Sequence, residues 1–104
     1  MNKIWKDKWV KALRSGKYKQ AEEELYNFRN NSYCCLGVLR QIMCPAGPDN
    51  DLQGKDKHGE ETEFLHTKYL RKAHLHHATQ KHLADMNDRG DSFRQIADYI
   101  EKRL

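Results

Sequence analysis

The chain has little from which to build a disulfide framework, a membrane span or a large core. Three cysteines, two prolines and six glycines are spread over 104 residues, and the mean hydropathy is −1.04. An odd number of cysteines, two of them adjacent at Cys34 and Cys35, is a poor start for paired disulfides and fits a reducing cytoplasm. No apolar run approaches the roughly 18 residues that a spanning helix needs, so no membrane partner is expected. Residues 1–6 turn amphipathic at once and lack the continuous apolar region of a signal peptide. Walker A, G-x-S-x-G, G-x-G-x-x-G and kinase signatures are missing, as are HExxH and paired CxxC. Nothing in the sequence argues for an enzyme, and no cofactor is expected.

Ten aromatic residues argue against full disorder, since they supply much of the available burial. The length suits a single domain, 1–104, with a modest core, and homo-oligomerisation would be one way to bury more surface. The net charge of +4 is unevenly placed: residues 1–20 carry +6, residues 21–44 −1, residues 45–63 −4 and residues 64–104 +3. Basic ends and an acidic middle either attract an anionic partner or complement each other within the fold.

The pattern predicts a mainly α fold of four to five helices. Trp5, Trp9, Ala12 and Leu13 share one face of a helix over residues 3–14, and Gly16 suits the left-handed position that stops it. Residues 17–31 favour helix through Ala21-Glu22-Glu23-Glu24-Leu25, although residues 18–35 also suit a short β-hairpin. Residues 33–43 form the most apolar segment, with Ser32 as the expected N-cap. Gly37 in its middle is tolerable if another element packs closely there. Residues 45–62 hold both prolines and many charges without periodicity, which predicts a mobile loop. Helix is expected again from near Glu63, continuing or restarting through His74 to Met86. The last helix has a capping box, Ser92 with Gln95, and an apolar face of Phe93, Ile96, Ala97, Ile100 and Leu104. Arg94–Asp98 and Asp98–Lys102 are spaced to pair along its solvent face.

Candidate chemistry is thin. Among six histidines, His74 and His77 are spaced i, i+3 and are the weak candidates for a metal, but zinc sites need three or four convergent ligands. A metal-dependent enzyme is therefore the least favoured alternative. Cys34 and Cys35 sit among Leu36, Val38 and Leu39, a context of core packing rather than of a reactive thiolate. Asn87-Asp88-Arg89-Gly90-Asp91 lacks the alternating acids and closing Glu of a calcium loop and reads as a corner between two helices. That corner also resembles the first half of a helix-turn-helix, whose recognition helix would have to follow Leu104. Nucleic-acid binding would instead fall to the first helix, through Lys3, Lys6, Lys8 and Lys11.

Three stretches, taken together, resemble a family of small proteins from tailed-bacteriophage and prophage genomes. They are Trp9-Val10-Lys11-Ala12-Leu13-Arg14-Ser15-Gly16-Lys17-Tyr18-Lys19-Gln20, then Tyr33-Cys34-Cys35-Leu36-Gly37-Val38-Leu39, then residues 83–101. The resemblance implies an accessory protein acting in the host cytoplasm, without implying a mechanism. The expectation is a non-enzymatic protein that binds a host factor, either a host protein or a small anionic signalling molecule, and so inhibits an antiviral defence system. Tyr18, Gln20, Asn87, Asp88 and Arg89 are the candidate binding residues, because packing of the first and last helices would bring two polar corners together. The competing view is that these residues only tie the corners to each other.

Overall fold

The structure, a computed structural model, describes residues 1–27, 29–45 and 64–104. The first helix, α1, runs Lys3–Arg14, with the Asn2 side chain accepting from the Trp5 N–H at 3.1 Å. Trp9, Val10 and Leu13 are its buried face, and Gly16 follows at φ 74°, where a residue with a Cβ would be strained. The last helix, Phe93–Arg103, buries Phe93, Ile96, Ala97 and Ile100 and starts from the Ser92–Gln95 capping box. These two helices pack on each other. Arg14 forks across them, with Nη1 on Glu101 at 2.6 Å and Nη2 on Asp98 at 2.7 Å. Asp98, expected to serve Arg94 and Lys102 along its own helix, is thus engaged by Arg14. The planar guanidinium reaches two carboxylates that lie one turn apart.

None of the described residues of 17–31 is helical, which corrects the preferred expectation. Three two-residue strands form instead: β1 Lys19–Gln20, β2 Tyr26–Asn27 and β3 Ser32–Tyr33, in the order β1-β3-β2. β2 pairs antiparallel with β3 as a hairpin, whereas β1 joins β3 in parallel. The helix propensity of the three glutamates loses to tertiary partners. Ala21 and Leu25 are buried, the Ala21 N–H donates to the Tyr33 carbonyl at 2.7 Å, and Glu23 stands at φ 63°, outside any helix.

Helix α2, Cys35–Met43, is the centre of the fold, with Cys35, Leu36, Val38 and Leu39 all fully buried. Its N-cap is Cys34, not Ser32: the Cys34 thiol accepts from the Gly37 N–H at 3.4 Å. Ser32 is held in β3, where its hydroxyl bonds to the Asn30 side chain. The Trp9 indole N–H donates to the Cys35 carbonyl at 2.8 Å, tying α1 to the start of α2. At the other end, buried Arg40 stacks 4.5 Å from the Tyr69 ring and donates to the Cys44 carbonyl.

Of the expected mobile loop at 45–62, all but Pro45 lies outside the described residues. The chain then forms α3, Thr67–Ala73, and α4, His77–Asp88; the Phe93–Arg103 helix is α5. The helical pattern breaks at His74, which takes the left-handed conformation at φ 53° and lets the Leu75 N–H close on the Leu70 carbonyl at 2.9 Å. Buried Gln80 of α4 accepts from the Leu65 N–H at 2.9 Å and so fastens the segment before α3. The result is a mainly α fold, five helices among the described residues with one small sheet. No helix among those residues is long and apolar enough to cross a membrane.

Candidate functional site

Asn87 is the most constrained polar side chain of the predicted corner. It lies in the last turn of α4, fully buried, and uses its complete hydrogen-bonding capacity. Its Oδ1 accepts from Gln20 Nε2 at 3.0 Å and from the Cys35 backbone N–H at 3.2 Å. Its Nδ2 donates to the Ala21 carbonyl at 2.7 Å and to Asp88 Oδ1 at 3.3 Å. One amide therefore satisfies an orphan N–H at the start of α2 and a carbonyl beside β1. Gln20 also donates to the Asp91 carbonyl at 2.7 Å, closing the link to the turn before α5.

The other corner residues are placed differently. Asp88 accepts from the Glu23 N–H at 2.9 Å and holds that left-handed residue. Arg89 turns outward and pairs with Asp91 at 2.8 Å. Tyr18 is not part of the Asn87 network. Its ring meets Tyr33 edge-on at 5.3 Å, and Tyr26 meets Tyr33 at 4.9 Å, so three half-buried tyrosines form a row across the sheet. Burial, with Tyr26 and Tyr18 nearby, raises the Tyr33 phenol above its ordinary value. Of the five candidate residues, the structure brings Gln20, Asn87 and Asp88 together in a saturated network and leaves Tyr18 and Arg89 at its margins.

The lysines of α1 present a different surface. Lys3, Lys8 and Lys11 are exposed, and Lys6 is half-buried on the side toward Val10. Ile4, 65% exposed, stands at i−4 from Lys8 and i−7 from Lys11, so an aliphatic side chain sits within the basic face. Trp5 beside it is half-buried, and two ammonium groups lie over its ring: Lys8 Nζ at 4.9 Å and Lys72 Nζ of α3 at 5.1 Å from the centroid. Sequence reasoning placed Lys8 on this helix but missed Ile4 and Lys72. The exposure of Ile4 was legible in the helical periodicity, whereas nothing local brings α3 against Trp5. Two open grooves of about 470 and 620 Å³ flank the Arg14–Glu101 pair, each lined by acids as well as bases. Mixed charge suits them poorly to a small anion.

The metal candidates separate. His74 forms the C-cap of α3, while the His77 ring stacks on Phe64 at 5.8 Å and meets Gln80 Nε2 at 3.1 Å. Among the described residues no three His, Cys, Asp or Glu side chains are grouped to hold a metal ion. The Cys35 thiol is fully buried, and that burial drives its pKa well above the ordinary thiol range, the opposite of what a nucleophile requires.

A family model described as a domain of unknown function, DUF8296, matches residues 1–70, and the chain belongs to that family. The match covers α1, the sheet and α2 and stops within α3. No curated protein and no solved structure matches the chain.

Proposed function

We propose that the protein is a non-enzymatic accessory protein that binds an acidic surface of a host protein through the outward face of α1. The observation that carries this reading is Ile4, 65% exposed on a helix face that also bears Lys8 and Lys11. An exposed aliphatic side chain among lysines provides apolar burial together with charge complementarity, the combination that protein partners exploit. The saturated state of Asn87 and the burial of Cys35 support binding over catalysis. The resemblance to small tailed-phage proteins supports a site of action in the host cytoplasm, with inhibition of an antiviral defence system as the narrower form of the reading. Capture from a lysate of the bacterial host by the immobilised protein tests it. A partner retained by the wild type and lost with Ile4→Glu is the expected result. Turnover of a substrate by the purified protein, or capture indifferent to that change, overturns the reading.

Nucleic-acid binding is the second reading, favoured by the exposure of Lys3, Lys8 and Lys11 on one helix. It requires affinity for DNA that falls steeply with salt, because phosphate contacts release counterions. Charge reversal at Lys3, Lys6, Lys8 and Lys11 would abolish such binding.

A further inference from the structure

We infer that the recognition centre is a cradle shared by α1 and α3, in which Lys8 and Lys72 over the Trp5 ring take a carboxylate of an acidic, amphipathic protein segment whose apolar side chains seat on Ile4. The inference rests on the binding reading above and names the chemistry of the partner.

The two ammonium groups come from different helices yet lie 4.9 and 5.1 Å from the centre of one ring. The electron-rich face of an indole attracts each of them, but it satisfies none of their N–H donors and leaves two like charges no farther apart than the sum of those two distances. Among the described residues neither Lys8 nor Lys72 has a carboxylate or a hydrogen-bond acceptor as partner. An incoming carboxylate supplies both at once. Among the described residues the surrounding charge is mostly of the same sign. Lys68, Arg71 and Lys72 share one face of α3 at i, i+3 and i+4 and are all exposed, and α1 adds Lys3 and Lys11. Asp7 is the one acid on the exposed arc of α1.

A protein segment fits this surface better than a nucleic acid does. Lysines already lie over Trp5, so the ring is not free to stack a base, and an aliphatic Ile4 adds nothing to phosphate binding. The α1–α3 junction is also held in place: the Asn2 N–H donates to the Ala73 carbonyl at 2.8 Å, which fixes the position of Lys72 beside α1.

The test uses a fluorescently labelled amphipathic peptide of glutamate and leucine, with leucines at i, i+3 and i+4, titrated with the full chain. Binding by anisotropy is expected to weaken several-fold with Lys8→Gln or Lys72→Gln and at least tenfold with both. Ile4→Ser should also weaken it, Lys81→Gln on α4 should not, and circular dichroism should be unchanged throughout. A peptide that does not bind overturns the inference. So does loss with Lys8→Gln but not Lys72→Gln, although that outcome leaves the α1 reading standing. Tighter binding to a single-stranded oligonucleotide or to anionic lipid vesicles, with the same lysine dependence, overturns it in favour of that surface. If the peptide behaves as expected while host-lysate capture ignores Ile4→Glu, the host-protein reading fails and the cradle does not.

Discussion

Gly37, in the middle of α2, lies directly against the backbone of Leu25. A Cβ at position 37 would fall 2.8 Å from the Leu25 carbonyl carbon and closer still to its oxygen. That oxygen also accepts from the Cys34 N–H at 3.2 Å, so it cannot retreat without releasing a bond at the start of α2. Gly37→Ala gains about 1 kcal/mol of helix propensity. The overpacking costs more, typically 1–3 kcal/mol and here against backbone rather than a flexible side chain. We expect a net destabilisation of about 2 kcal/mol in urea unfolding at constant m-value.

Asn87→Ala strips partners from two buried backbone groups, the Cys35 N–H and the Ala21 carbonyl. Each orphaned group costs on the order of 1–3 kcal/mol, and a loss of about 3 kcal/mol is expected. Gln20→Ala should cost about 1 kcal/mol, since its carbonyl partner at Asp91 sits nearer to solvent. Tyr18→Phe should change stability by less than about 0.5 kcal/mol, because its hydroxyl has no protein partner among the described residues. If Gln20 and Asn87 are purely structural, folded Asn87→Ala protein binds the acidic peptide as well as the wild type does.

The cysteines should separate under thiol labelling. Cys34 and Cys35 are buried and Cys44 is half-exposed, so native protein at neutral pH should be labelled at Cys44 first. Mass spectrometry of a pulse-labelled sample reads this directly. Alkaline stability follows from the same burial. The unfolded chain releases the Cys35 proton near the ordinary thiol value, whereas the native state keeps it to higher pH. The stability contributed by the neutral buried thiol is therefore complete below that ordinary value and is lost as pH rises through the folded one. Tyr33 acts in the same direction at higher pH. Urea midpoints should fall above about pH 9, and less steeply for Cys35→Ala.

His74 stands at φ 53°, a conformation that costs an L-residue roughly 1 kcal/mol and costs glycine almost nothing. His74→Gly should raise the melting temperature by a few degrees and leave binding unchanged. A lower melting temperature would mean that the imidazole makes a contact worth more than the strain.

The helices α1 and α5 were legible because their signals are local. Gly16, Ser92 and Gln95 mark ends, and the apolar spacing marks the faces. The sheet was not legible. Two-residue strands have no periodicity of their own, and β1 finds its partner 13 residues away in β3. Ser32 looked like a cap because its residue type suits one, yet strand pairing held it and Cys34 took the role. The turn at His74 lacks the glycine that would have announced it. At the candidate sites, the joining of Gln20 to Asn87 follows from packing the two polar corners together. The meeting of Lys72 with Trp5 depends on how α3 docks, which no spacing within either segment encodes.

The Arg14–Glu101 pair joins positions 87 apart in sequence, and beneath it Trp9, Val10 and Leu13 are covered in part by α5. A ribosome adding about 5–20 residues per second leaves the apolar stripe of α1 waiting roughly 4–17 s for that cover. Until then the nascent chain displays, beside the lysine side of its first helix, the part of the apolar stripe that α2 does not cover. Translation speed thus sets how long the immature protein offers chaperones a surface that the finished one conceals.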